Sequence, residues 1–265
     1  MINALRSELI KMRSMPGVWV TFLLTFPLTV LGVLTVFAVA GGFPGHVLYH
    51  PRNLHQERQL LGAGYTAIQV LAPIVGVLCI TGEYRHKTIT TSLVLTPSRT
   101  TVLEAKVVAT ALWSVLIGLL SLVAVVAVGL PWNAALGGVA TQVTDQAGAV
   151  IPGLLVGAML LGLFGLGFGT LVKNQVAAIL ITIGGTFILE GLLVALARGV
   201  FHYNLNWLPN GAVGALAGDI ARGFGGGRDV GARLLTWWEG GLVMLAWGLV
   251  PLALGYFTTF RKDVT

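Results

Sequence analysis

Long apolar runs alternate with short polar intervals along this chain, and within each run the hydrophobicity is nearly continuous. The runs cover about residues 17–41, 61–82, 107–130, 149–172, 176–198 and 241–260. About 20 apolar residues in helical geometry cross the roughly 30 Å of a bilayer's hydrocarbon. The pattern therefore predicts six transmembrane helices and an all-α integral membrane protein. The first run is longer than the apolar core of a signal peptide and five more follow it, so it reads as a retained helix.

The polar intervals are more informative. In the opening "MINALRSELIKMRSMPG", Ile2, Leu5, Leu9 and Met12 recur every three or four residues, while Arg6, Lys11 and Arg13 lie elsewhere on the same helix. That spacing predicts an interfacial elbow helix over residues 1–16, its apolar side in lipid and its cations near anionic head groups. Pro16 and Gly17 then bend the chain into the first span. The interval "TGEYRHKTITTSLVLTPSRTTVLEAK", residues 81–106, concentrates charge in an otherwise apolar chain. Its centre predicts a short helix with Ile89, Leu93 and Val94 on one side, broken at Thr96–Pro97. Residues 199–240 are too long for a tight turn, and the apolar segment after Asn210 is too short to span. A re-entrant or surface-lying helix pair is expected there, with Trp207, Trp237 and Trp238 in an aromatic belt at the outer interface.

Composition agrees with the pattern. The chain is 55% hydrophobic and 10% charged, against about 25% charged for a soluble domain. A water-soluble globule is excluded, and the whole of 1–265 reads as one transmembrane domain. With the N-terminus inside, ten Lys and Arg residues fall on the cytoplasmic side and six outside, the bias of cytoplasmic loops. Both termini and the 81–106 interval are then cytoplasmic. The lone cysteine, Cys79, sits in an apolar run, where it reads as a packing residue.

Catalytic signatures are missing from the sequence. There is no G-x-x-x-x-G-K-[ST] phosphate cradle, no H-E-x-x-H and no G-x-S-x-G elbow. The "GFGGGRD" stretch at 223–229 reads as a flexible outer turn. His46, His50 and His55 read as solvated loop histidines, and no metal site or nucleic-acid partner is expected. Two features inside the spans do carry chemistry. Gly153 with Gly157, and Gly165 with Gly169, form G-x-x-x-G pairs in the fourth run, a spacing that lets helix backbones approach closely. Glu190 is the acid set well inside the fifth run. A lipid-facing charge there would cost about 2.5 kcal/mol or more, so it should face protein, water or a cation such as Arg198, or hold a proton. In one reading it belongs to an outer gate or substrate path; in the other the span ends early and Glu190 lies at the interface.

The stretch "GEYRHKTITTSLVLTPSRTTVLEAK" resembles the cytoplasmic segment of ABC type-2 transporter permeases, particularly actinobacterial-like members. The matching positions are Glu83, Tyr84, Arg85, Thr88, Ile89, Pro97, Arg99 and Lys106, with Lys87 where many relatives carry glycine. "LRSELIKMRSMPGVWVT" resembles the family's elbow helix and first span, and "YFTTFRKDV" its cytoplasmic end, so the resemblance covers essentially the whole chain. It implies a plasma-membrane permease without catalytic activity, dimeric with a like or similar chain and driven by two copies of a separate ATPase that bind ATP and Mg. It also implies that the 83–99 segment docks on that ATPase as a coupling helix, through Glu83, Arg85, Thr88, Ile89, Pro97 and Arg99. Export of an amphiphilic or small-molecule substrate follows. The alternatives are a non-transporting anchor or sensor subunit of such a complex, and an ion-coupled secondary carrier.

Overall fold

A computed structural model describes residues 2–39, 54–85, 99–137, 140–172, 174–202, 205–216 and 235–260. All regular structure in these residues is helical. The elements are α1 (Ile2–Ser14), α2 (Pro16–Val39), α3 (Leu54–Leu61), α4 (Tyr65–Arg85), α5 (Arg99–Ala124), α6 (Leu130–Ala135), α7 (Ala140–Leu171), α8 (Gln175–Gly184), α9 (Glu190–Phe201), α10 (Pro209–Leu216) and α11 (Trp237–Gly255). Several join end to end. The result is six helices long and apolar enough to cross a membrane: Pro16–Ala38, Glu57–Arg85, Thr100–Ala135, Val150–Leu171, Gln175–Phe201 and Trp237–Thr258. They are spans one to six below. The middle of the 83–99 segment, with Thr88, Ile89 and Pro97, lies outside the described residues, as do His46 and His50.

Spans two and four form the centre. Their most apolar windows are 83% and 67% buried, whereas that of span five is 17% buried, which places span five at the perimeter of the chain. The central contact depends on glycine. A Cβ on Gly76 of span two would overlap the backbone of Gly162 and Leu166, and one on Gly165 would overlap the backbone of Pro73. Backbones this close gain dispersion contacts, the main attraction left where lipid removes the hydrophobic drive. Gly169 faces Val77 and Ile80 of span two, Gly157 faces Val213 of α10, and Gly153 is buried. Gly162 and Gly167 extend the same small-residue surface toward Ser114 of span three and Gly248 of span six.

The elbow helix differs from its sequence reading. Leu5, Leu9 and Met12 pack against the protein core rather than facing outward, while Ile2 is 82% exposed. The reason is Glu8, on the same face and buried with Met12. A carboxylate cannot be laid into lipid unpaired, and here Lys106 of the bundle meets it together with Lys11 of α1 itself. Arg6 and Arg13 stay exposed.

Candidate functional site: two buried polar clusters

The first cluster gathers at the bundle end that carries α1. Helix α5 starts at Arg99, so Lys106 is already two turns inside it and 0% exposed. Its Nζ donates to Glu8 Oε2 at 2.7 Å and to the Cys79 carbonyl at 3.3 Å, and lies 3.0 Å from Glu83 Oε1. Lys11 closes the set, donating to Glu8 Oε1 at 2.6 Å and Glu83 Oε1 at 2.8 Å. Two cations and two anions thus balance, and a buried ion pair requires such balance. Burial disfavours the Lys11 ammonium, but its bonds to Glu8 and Glu83 outweigh that and raise its pKa.

The cluster ties α1 to the C-terminal end of span two and the N-terminal end of span three. Glu83 is 1% exposed inside it, not on the surface of the charged segment, because span two continues as helix to Arg85. Arg85 is exposed two residues on, and Arg99 opens α5. Among the residues singled out from sequence, Glu83 and Lys11 are therefore brought together, and Arg85 is held apart at the surface. Sequence reasoning missed Glu8. Its signal was present all the same: an acid in the middle of the Leu5, Leu9, Met12 face.

The second cluster lies partway along span five. Here the helix makes one π-turn, Gly185–Leu189, and the Glu190 N–H donates to Gly185 O, five residues back. In a regular α-helix its acceptor would be the Thr186 carbonyl. That carbonyl instead accepts Asn210 Nδ2 at 2.9 Å. The Asn210 backbone N–H donates to Glu190 Oε1 at 2.9 Å, with the Gly211 N–H alongside. Tyr65 Oη, from span two, donates to Asn210 Oδ1 at 3.1 Å. Glu190 is buried, and its helix continues beyond it to Phe201. Its partner is the start of α10 rather than a cation. Among the described residues no group of three or more His, Cys, Asp or Glu is placed to hold a metal.

Six helices long and apolar enough to cross a membrane, with two buried polar clusters between them, define a multi-pass helical membrane protein. More narrowly, the chain belongs to the ABC-2 transporter family: the model for "ABC-2 family transporter protein" matches residues 4–189, and the chain is an ABC type-2 permease. The family is a membrane transport component, not itself catalytic, and generally works as a dimer with an ATPase subunit. No curated protein matches the chain at a significant level. Glu190 and α10 fall just past the matched residues.

Proposed function

We propose that this permease is the membrane half of an ATP-driven exporter in the plasma membrane, with both termini cytoplasmic. Two copies, or this chain and a similar one, enclose a path for an amphiphilic or small-molecule substrate. Two copies of a separate ATPase bind ATP and Mg beneath them. The observation that carries this reading is the Glu8, Lys11, Glu83, Lys106 cluster. It joins α1 to the two helices on either side of the charged segment, so a push on that segment enters spans two and three together. In this reading Arg85, Thr88, Ile89, Pro97 and Arg99 form the ATPase-facing segment. Glu83 acts from behind them as a positioning residue, and Glu190 belongs to the outer gate.

The test is ATPase turnover of the purified complex with its nucleotide-binding subunit in lipid nanodiscs, wild type against Arg85→Ala/Arg99→Ala. Candidate amphiphiles are expected to stimulate wild type, and the double variant is expected to lose most of that stimulation. If no ATPase co-purifies, or stimulation survives the substitutions, the coupling reading fails. Turnover that responds to the substitutions but to no amphiphile would favour the sensor alternative.

A further inference from the structure

Span five changes register at its π-turn. Helix α8 and the turn bury Ala178, Thr182 and Thr186, and α9 buries only Glu190 and Ala197. In an unbroken α-helix, at about 100° per residue, Glu190 and Ala197 would lie about 120° and 100° round from Ala178. The π-turn takes up one extra residue, which brings them to about 20° and 0°. The turn is therefore what holds both on the face that meets the bundle.

A second face suits the other register. Leu189, Leu193, Leu196 and Val200 recur at intervals of four, three and four residues, and all are exposed. In an unbroken helix they would fall within about 60° of Ala178, on the side of Thr182 and Thr186. That face is wholly apolar and needs no hydrogen-bond partner.

Asn210 selects the observed register. Its helix, α10, is fixed to the other spans: Val213 lies against Gly157 of span four, the Ala212 carbonyl against Gly240 of span six, and Tyr65 of span two donates to Asn210 Oδ1. Asn210 Nδ2 takes the Thr186 carbonyl, and its backbone N–H holds Glu190 Oε1. Without Asn210 the Thr186 carbonyl would be bare in apolar surroundings, which is costly. The Glu190 N–H is the donor an α-helix would bring to it. Glu190 Oε1 accepts whether the acid is charged or neutral, so the choice of register does not turn on its ionisation.

We propose that span five has two registers and that Asn210 sets which one it adopts. With Asn210 seated, the π-turn stays and Glu190 faces α10. When α9 draws away from α10, the Glu190 N–H takes the Thr186 carbonyl and the turn closes to α-helix. Helix α9 then rotates by about 100° and advances about 1.5 Å, laying Leu189, Leu193, Leu196 and Val200 against the bundle. Asn210 and Glu190 are left to water or to polar groups of a molecule beside α10, and whichever enters there favours the second register. That this rotation is the motion of a gate rests on the exporter reading; the two registers do not.

Pulsed electron spin resonance distances in the full-length chain, in lipid nanodiscs without any ATPase, test the device. Nitroxides are placed in a Cys79→Ala background, and labelled chains are diluted with unlabelled ones. One label is a reference at an exposed position, Val123→Cys in span three or Leu249→Cys in span six. The other is Leu192→Cys or Phe201→Cys, both exposed and, nine residues apart, on opposite sides of α9. Asn210→Leu is expected to shift their distances to a reference in opposite directions, on the order of 5 Å. Deleting the exposed Ile188 removes the extra residue, so Asn210→Leu in that background is expected to keep the wild-type distances. Leu180→Cys, in α8, should hold its distances throughout and reports that each variant is folded. Should Asn210→Leu disturb them, Tyr65→Phe, which only loosens Asn210, carries the test and is expected to give both sets of distances. Unchanged distances, shifts of the same sign, or a shift that survives the deletion overturns the proposal. Since no partner is present, failure here leaves the exporter reading standing, and failure of coupling leaves the two registers standing.

Discussion

Lys106 shows what one residue can demand of its surroundings. A lysine with no exposed surface is tolerated because two carboxylates and a main-chain carbonyl meet it. Removing one member of such a set leaves charge buried without balance, a loss of about 3–5 kcal/mol. Lys106→Met is accordingly expected to lower the thermal midpoint of the detergent-purified protein sharply. Joint replacement of Lys106, Lys11, Glu8 and Glu83 by apolar residues should recover much of it, since no buried charge then remains. A midpoint unmoved by Lys106→Met would show that the cluster is not buried as described. Only part of this cluster could be read from the chain. Glu83 and Lys106 stood out as charges flanking apolar runs, but Glu8 is 98 residues from Lys106, and no local pattern links them.

At the scale of elements, glycine decides which helices touch. Gly165→Leu should prevent spans two and four from closing, because its side chain would meet the Pro73 backbone, which cannot give way. Gly184→Ala is the matched control, because nothing lies within 4 Å of the Cβ it would add. Yield of monodisperse protein on size-exclusion chromatography should collapse for the first and hold for the second. The G-x-x-x-G spacing made close packing legible. It could not say that Gly165 and Gly169 face span two while Gly157 faces α10. The π-turn before Glu190 was equally hidden. Its sequence, "GTFIL", is ordinary for a membrane helix, and the register change matters only because Asn210 comes from another segment to use the released carbonyl.

For the molecule as a whole, the proposed orientation predicts which ends face the outside. Ser14 and Phe201 are exposed near opposite ends of the bundle. In a Cys79→Ala background, Phe201→Cys should react with a membrane-impermeant maleimide on intact cells, and Ser14→Cys only after permeabilisation. The reverse pattern would invert the proposed topology. The number of spans and the all-helical class were determined by sequence alone, because lipid imposes one local rule on every crossing segment: enough apolar residues, with the backbone bonded to itself. Even the limits were nearly legible, although span three runs on to Ala135 through a π-turn. Tertiary structure alone decided which charges are buried together, turned the elbow's apolar face onto the bundle, and set α10 against Glu190. Those outcomes depend on pairings between residues far apart in the chain, where the free energy of a buried charge is settled by what arrives beside it.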